Sequence, residues 1–177
     1  MKRRMLRWLS FAACALMLVC AAVWAQNDQA SEAAKPSELP EAAAKLFHLK
    51  VPTGFEVQTS DEPGIFKWKK GPAEIYLAVG DLFALPAQTV YKQLLEAVEQ
   101  NKDLEKVRTL KIKGGRSFTY TEKAPEEPGR LRTLHLVVIT NEKVINVDFS
   151  APAKDFDPLV PDFEAAIKSF RLVSSKS

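Results

Sequence analysis

The chain has 177 residues, 46% of them hydrophobic, with 25 Lys and Arg against 22 Asp and Glu. That is too apolar for a disordered polymer and long enough for one domain with short appendages. The formal charge of +3 comes from the start, where Lys2, Arg3, Arg4 and Arg7 meet no acid before Ala25; the remainder carries 21 basic against 22 acidic residues, a net charge of −1. A nucleic-acid binder needs a clear excess of cations to displace counterions, so that class is disfavoured.

The four cations lead into an apolar run from Trp8 to Val23, broken only by Ser10 and closing on Val23-Trp24-Ala25. A basic start, an apolar middle and a small-residue exit are the layout of a secretory signal. Residues 1–25 are therefore expected to be cleaved, leaving Gln26 as the first residue of a periplasmic or secreted protein. Retention as a membrane anchor is the competing reading, because the 18 residues from Trp8 to Ala25 approach the roughly 20 that a spanning helix needs. Both cysteines, Cys14 and Cys20, lie in this leader. The mature chain then has no thiol for catalysis, redox chemistry or zinc.

Residues 26–45 consist mainly of Ala, Glu, Ser, Gln and Pro, with Leu39 the one large apolar side chain. Such a segment buries too little to offset its ordering entropy and reads as a flexible tether, with residues 41–45 able to form one helical turn. The globular domain is expected over residues 46–173, followed by a short tail at 174–177.

Within the domain, residues 46–55 predict a strand that turns through Pro52 and Gly54. Residues 55–58 and 65–70 predict two short strands around Asp61-Glu62-Pro63-Gly64. In the second, Phe66 and Trp68 alternate with Lys67 and Lys69, and Gly71-Pro72 ends it. Ile75, Leu77 and Val79 then alternate with Tyr76 and Ala78. Pro86 opens a helix whose stripe is Val90, Leu94 and Val98, widened by Tyr91, Leu95 and Ala97, with Asn101 as its stop. Residues 107–113 and 116–122 flank Gly114-Gly115, a pair suited to a tight hairpin turn.

The loop at 123–130, from Lys123 through Pro125, Pro128 and Gly129 to Arg130, is expected to be exposed. Residues 131–140 are apolar on both faces, as in a strand covered on both sides. Ile145, Val147 and Phe149 share a face of the next strand, and Pro152 is expected to break the ladder. A last helix carries Phe156, Val160, Phe163, Ile167 and Phe170 on one stripe. Pro158 and Pro161 are tolerable only near its start, so a one-turn offset is expected before Pro161. Hairpins demand antiparallel pairing and two amphipathic helices must cover the sheet, so the fold class is α+β.

The opening Leu46-Phe47-His48-Leu49-Lys50-Val51-Pro52-Thr53-Gly54-Phe55 resembles the F-x-(I/V)-P-x-G-(W/F) strand and turn of PsbP-like domains. Phe149-Ser150-Ala151-Pro152, followed by Phe156, Pro161, Phe163, Ile167, Ser169 and Phe170, resembles the closing strand and helix of that superfamily, which includes bacterial DcrB-like proteins. The order of elements between them agrees, so the resemblance spans nearly all of residues 46–173. Its motifs are structural and none is catalytic. It implies an α/β/α sandwich around an antiparallel sheet and a non-enzymatic accessory or docking role, without naming the partner, since one fold serves unrelated ones.

Reactive chemistry finds little support. His48 and His135 each stand alone among apolar strand residues, without a second histidine at metal-ligand spacing, and read as partly buried structural imidazoles. No Gly-X-Ser-X-Gly elbow occurs. Asp61-Glu62, Glu126-Glu127 and Asp155/Asp157 read as solvated loop acids, with Asp157 a helix cap before Pro158. No catalytic, cofactor-binding or metal-binding residues are assigned. Trp68 among Lys67, Lys69 and Lys70 is the leading contact candidate, with the 123–130 loop next and Lys111, Lys113 and Arg116 a second basic ribbon. The expected function is a non-catalytic module that docks on another envelope component, with membrane contact at most peripheral. The alternative is a small-molecule carrier with a pocket lined by Phe66, Trp68, Tyr76 and helix residues.

Overall fold

A computed structural model of the chain describes residues 39, 41–82, 85–125, 127 and 129–173. The expected signal, most of the expected tether and the 174–177 tail lie outside the described residues. A single helical turn, α1 (Glu41–Ala44), leads into β1 (Phe47–His48). Then follow β2 (Glu56–Gln58), β3 (Ile65–Lys70), β4 (Ala73–Asp81) and helix α2 (Ala87–Gln100). Strands β5 (Leu104–Ile112), β6 (Gly115–Glu122), β7 (Leu131–Ile139) and β8 (Lys143–Pro152) precede helix α3 (Ala153–Ser169) and β9 (Arg171–Leu172). Seven strands make one antiparallel sheet in the order β2-β3-β4-β8-β7-β6-β5. The fold is α+β, as the alternation and hairpin signals predict.

Successive strand residues face opposite sides, and here the two sides have different covers. Ile75, Leu77, Leu134, Leu136, Val138, Ile145, Val147 and Phe149 form one continuous core with Phe156, Phe163, Ala166 and Ile167 of α3. Phe163 is fully buried, its ring centre 5.3 Å from Phe149, 6.1 Å from Phe156 and 6.2 Å from Phe55. On the other side, Phe118, Val137 and Ile139 pack against Ala87, Val90, Tyr91, Leu95 and Val98 of α2. That cover is thinner. No residue of α2 is fully buried, and Leu94, expected on its stripe, is 38% exposed.

Three local expectations are corrected. First, Ile112 pairs with Gly115, so Lys113-Gly114 makes the hairpin turn, with Gly114 at φ 87°, and Gly115 begins β6. A Cβ on Gly115 would lie 3.1 Å from Leu172 Cδ1 and 3.2 Å from Val138 Cγ1. The second glycine therefore serves packing rather than turning. Second, α3 shows no offset: Pro152 ends β8 and caps the helix, and Pro158 and Pro161 lie inside it. Each removes one N–H that would bond four residues back, and the buried stripe on this side offsets the loss. Third, of the strand expected over residues 46–55 only Phe47–His48 is a strand, and it lies outside the main sheet. β1 pairs only with β9, Phe47 opposite Leu172, and Phe47 stacks on Phe170 at 5.4 Å, clasping the two ends of the domain together.

The core also reaches upstream of the expected domain start at Leu46. Ala43 is fully buried within it and Leu39 packs against it. A chain beginning at Leu46 should therefore melt at a lower temperature than one beginning at residue 38; equal melts would show that these contacts contribute nothing. Phe163→Ala should cost about 3–5 kcal/mol, as full truncation of a buried ring usually does, and chemical denaturation of the variant measures it directly.

Candidate functional site

The register of the sheet sets six side chains in a row across the side that α2 covers only in part: Tyr120, His135, Asp148, Tyr76, Lys67 and Gln58, each opposite the next. His135 is its centre. Nδ1 lies 2.7 Å from Asp148 Oδ1, which also accepts from Asn146 Nδ2 at 2.9 Å. Nε2 faces Glu122 Oε1 at 3.6 Å, an ion-pair separation longer than a hydrogen bond. Tyr120 stacks on the imidazole with ring centres 4.3 Å apart. In the next row the Thr133 and Ser150 hydroxyls meet at 3.0 Å.

Electrostatics decide what this centre can do. Burial opposes a charged imidazole, but the hydrogen bond to Asp148 and the nearness of both carboxylates prevail and push the His135 pKa up to about 9. For Glu122, burial raises the pKa, yet its interactions with His135 and Thr133 hold it below the ordinary value. Burial, then the charges of Asp148 and Glu122, raise the Tyr120 phenol well above its usual range. At neutral pH the site is thus an imidazolium clamped between two carboxylates. A general base needs a pKa near the working pH, and this imidazole has no lone pair to offer there. The Ser150 hydroxyl is engaged by Thr133, not by His135.

The same linkage gives a pH signature. Folding raises the His135 pKa from 6.5 to about 9, so the folded state holds the proton more tightly. The resulting stability is complete below pH 6.5 and is lost as pH rises through 9, a loss of about 3 kcal/mol if the whole shift is realised. The imidazole proton resonances in an NMR titration should move near pH 9. A midpoint at or below 6.5 would contradict the clamp.

On the α3 side, Arg132 is buried with a partner at each of its three guanidinium nitrogens. Nε donates to the Glu122 carbonyl at 3.0 Å, Nη1 to Asp157 Oδ1 at 2.9 Å and Nη2 to Glu105 Oε1 at 2.6 Å. The guanidinium also lies over the Phe156 ring at 4.9 Å. Glu105 reaches it because β5 shifts register between Glu105 and Arg108, with Lys106 at φ 54°. The bulge puts Glu105 and Arg108 on the same side despite their opposite parity, and Arg108 meets Glu164 of α3 at 3.5 Å. Asp157, expected as a helix cap, is instead a partner of Arg132 inside α3.

The two histidines do not meet: His48 is exposed on β1, and His135 is buried on β7. Among the described residues no group of three or more His, Cys, Asp or Glu could hold a metal ion. Trp68 is fully buried and Phe66 packs against the same core, so these rings fill space rather than line a pocket. The Trp68 indole N–H has no hydrogen-bond partner among the described residues. The lysine ribbon is split: Lys67 lies over Tyr76 at 5.6 Å on one side, while Lys70 crosses to the other, over Phe55 at 5.9 Å and bonded to the Thr53 carbonyl. In the 123–130 loop, Arg130 pairs with Glu127 at 3.0 Å. The clamp around His135 was missed because its acids come from β6 and β8, 13 residues away in each direction; strand parity and hairpin pairing were the signals that could have joined them.

No protein-family model matches the chain, and no curated protein matches it. Among solved structures, the cyanobacterial PsbP protein CyanoP from Synechocystis sp. PCC 6803 superposes with a TM-score of 0.51 at 13% identity, covering 85% of this chain and 99% of that one. A protein from Bacteroides thetaiotaomicron VPI-5482 superposes at 0.57 and 13% identity over 79% of this chain, which spans about half of that one (49%). LpqN of Mycobacterium tuberculosis, described as involved in cell envelope biogenesis, reaches only 0.42 at 10% identity, over 82% of this chain and 88% of that one. The chain has the PsbP-like fold.

Proposed function

We propose that the protein is an extracytoplasmic accessory module, exported by cleavage before Gln26, that docks on another envelope component and catalyses nothing itself. The observation that carries this reading is the His135 centre. Both imidazole nitrogens face carboxylates, Asp148 at 2.7 Å and Glu122 at 3.6 Å, and the Thr133 and Ser150 hydroxyls beside it are tied to each other. The fold shared with CyanoP over nearly its whole length fits the accessory role that the PsbP-like resemblance implies. Among the described residues no helix is long and apolar enough to cross a membrane. The carrier alternative loses its expected lining, since Trp68 and Phe66 belong to the core.

The docking surface of this reading is the sheet area beyond α2, where Lys67, Lys69 and Tyr76 stand beside the clamp. Lys70 lies on the other side and is left out. Reversing Lys67 and Lys69 to Glu should leave the melt within about half a kcal/mol of the parent. It should slow capture of the partner from native envelope extract, with a deficit that shrinks as salt rises. Undiminished capture at low salt would remove this surface from the proposal. An N-terminal readout on exported protein tests the cleavage site, and a retained leader would restore the anchor reading.

A further inference from the structure

Among the described residues the sheet ends at β5, which pairs only with β6. Beside that open edge runs a groove of about 410 Å³ between β5 and the end of α3, lined by Leu110, Ile112, Ile167 and Phe170 and by Lys111, Lys113, Lys168 and Arg171. Its floor is apolar. All four cations are exposed, and among the described residues no acid lines it. Glu164, one turn earlier on α3, is occupied by Arg108 at 3.5 Å. Arg171 Nη1 caps the end of α3 through the Lys168 and Phe170 carbonyls, at 2.7 and 2.6 Å, which fixes its guanidinium at the rim.

Ile112 and Gly115 close a two-residue turn, and such a closing pair exchanges backbone hydrogen bonds. The alternation of an antiparallel ladder then directs the N–H and C=O of Thr109 and Lys111 away from β6, toward an added strand. Lysines on an edge repel a second copy of the same edge, so the charge that blocks self-association favours an acidic visitor. We infer that this edge and groove accept an extended peptide segment of alternating acidic and apolar residues, added to β5 as an eighth strand. The apolar side chains enter over Leu110, Ile112 and Ile167, and the acidic ones meet the cationic rim.

The test uses the full chain and a fluorescein-labelled, end-blocked nine-residue peptide of alternating Glu and Val, read by anisotropy. The peptide should bind, more weakly as salt rises, and at least tenfold more weakly to a Lys111→Glu/Lys113→Glu chain that melts like the parent. Lys111→Pro, tolerable on an edge strand, should abolish pairing. If that variant does not fold, the same peptide N-methylated at alternate amides tests the backbone bonds on the unaltered protein and should also lose at least tenfold. Lys67→Glu/Lys69→Glu should change nothing here, which separates failure of this inference from failure of the docking surface above. No binding of the peptide, equal binding of its N-methylated form, or equal binding of a Lys-Val version each overturns the inference. So does binding to phosphatidylglycerol vesicles, in place of the peptide, that the Lys111/Lys113 reversal abolishes.

Discussion

Phe163 stands where α3 meets the sheet, touching Phe55 before β2, Phe149 on β8 and Phe156 one face-repeat earlier on its own helix. The burial of that helix stripe constrains the rest of the molecule. Once the odd residues of β8 and the even residues of β7 must face α3, strand parity sends Asp148 and His135 to the opposite side. The polar row is thus a consequence of where the apolar core lies. A one-residue slip in either strand would exchange the two sets and bury the clamp under α3.

Arg132 is the buried charge on the apolar side, and it survives there because each of its three guanidinium nitrogens has an acceptor. A buried guanidinium without acceptors would be costly, but this one finds a carboxylate on β5, a carboxylate on α3, a carbonyl on β6 and an aromatic face. Supplying Glu105 requires the bulge, and the bulge requires Lys106 in a left-handed conformation that costs a non-glycine residue something. The same local shift brings Arg108 to Glu164. Backbone strain at one residue therefore ties the edge strand to the helix through two ion pairs.

His135 illustrates how acids can disable an imidazole as readily as activate it. A single carboxylate orients a histidine for proton transfer, whereas two, in a buried setting, hold the proton where it is. The result is a buried charge cluster in the middle of a half-covered sheet. The β5 edge is a different kind of surface, with unpaired backbone beside an apolar groove and a cationic rim. Lys67 and Lys69 can be altered independently of that edge, since β3 and β5 stand near opposite ends of the sheet.

Local period and punctuation carry most of the element assignment in the sequence. Alternation at Ile75, Leu77 and Val79, the double-sided apolar run around Leu136, the α3 stripe and Pro86 at the head of α2 are all legible, because each depends on neighbours within a few residues. From these the antiparallel α+β class follows. Contacts between segments distant along the chain come from the folded structure. It joined β1 to β9, drew Ala43 into the core, kept α3 helical through two prolines and turned Lys106 into a bulge. It also assembled a clamp from Glu122, His135 and Asp148 and a groove from β5 and α3. Each of these trades a local preference against burial or charge pairing contributed from elsewhere, and local sequence carries only one side of that balance.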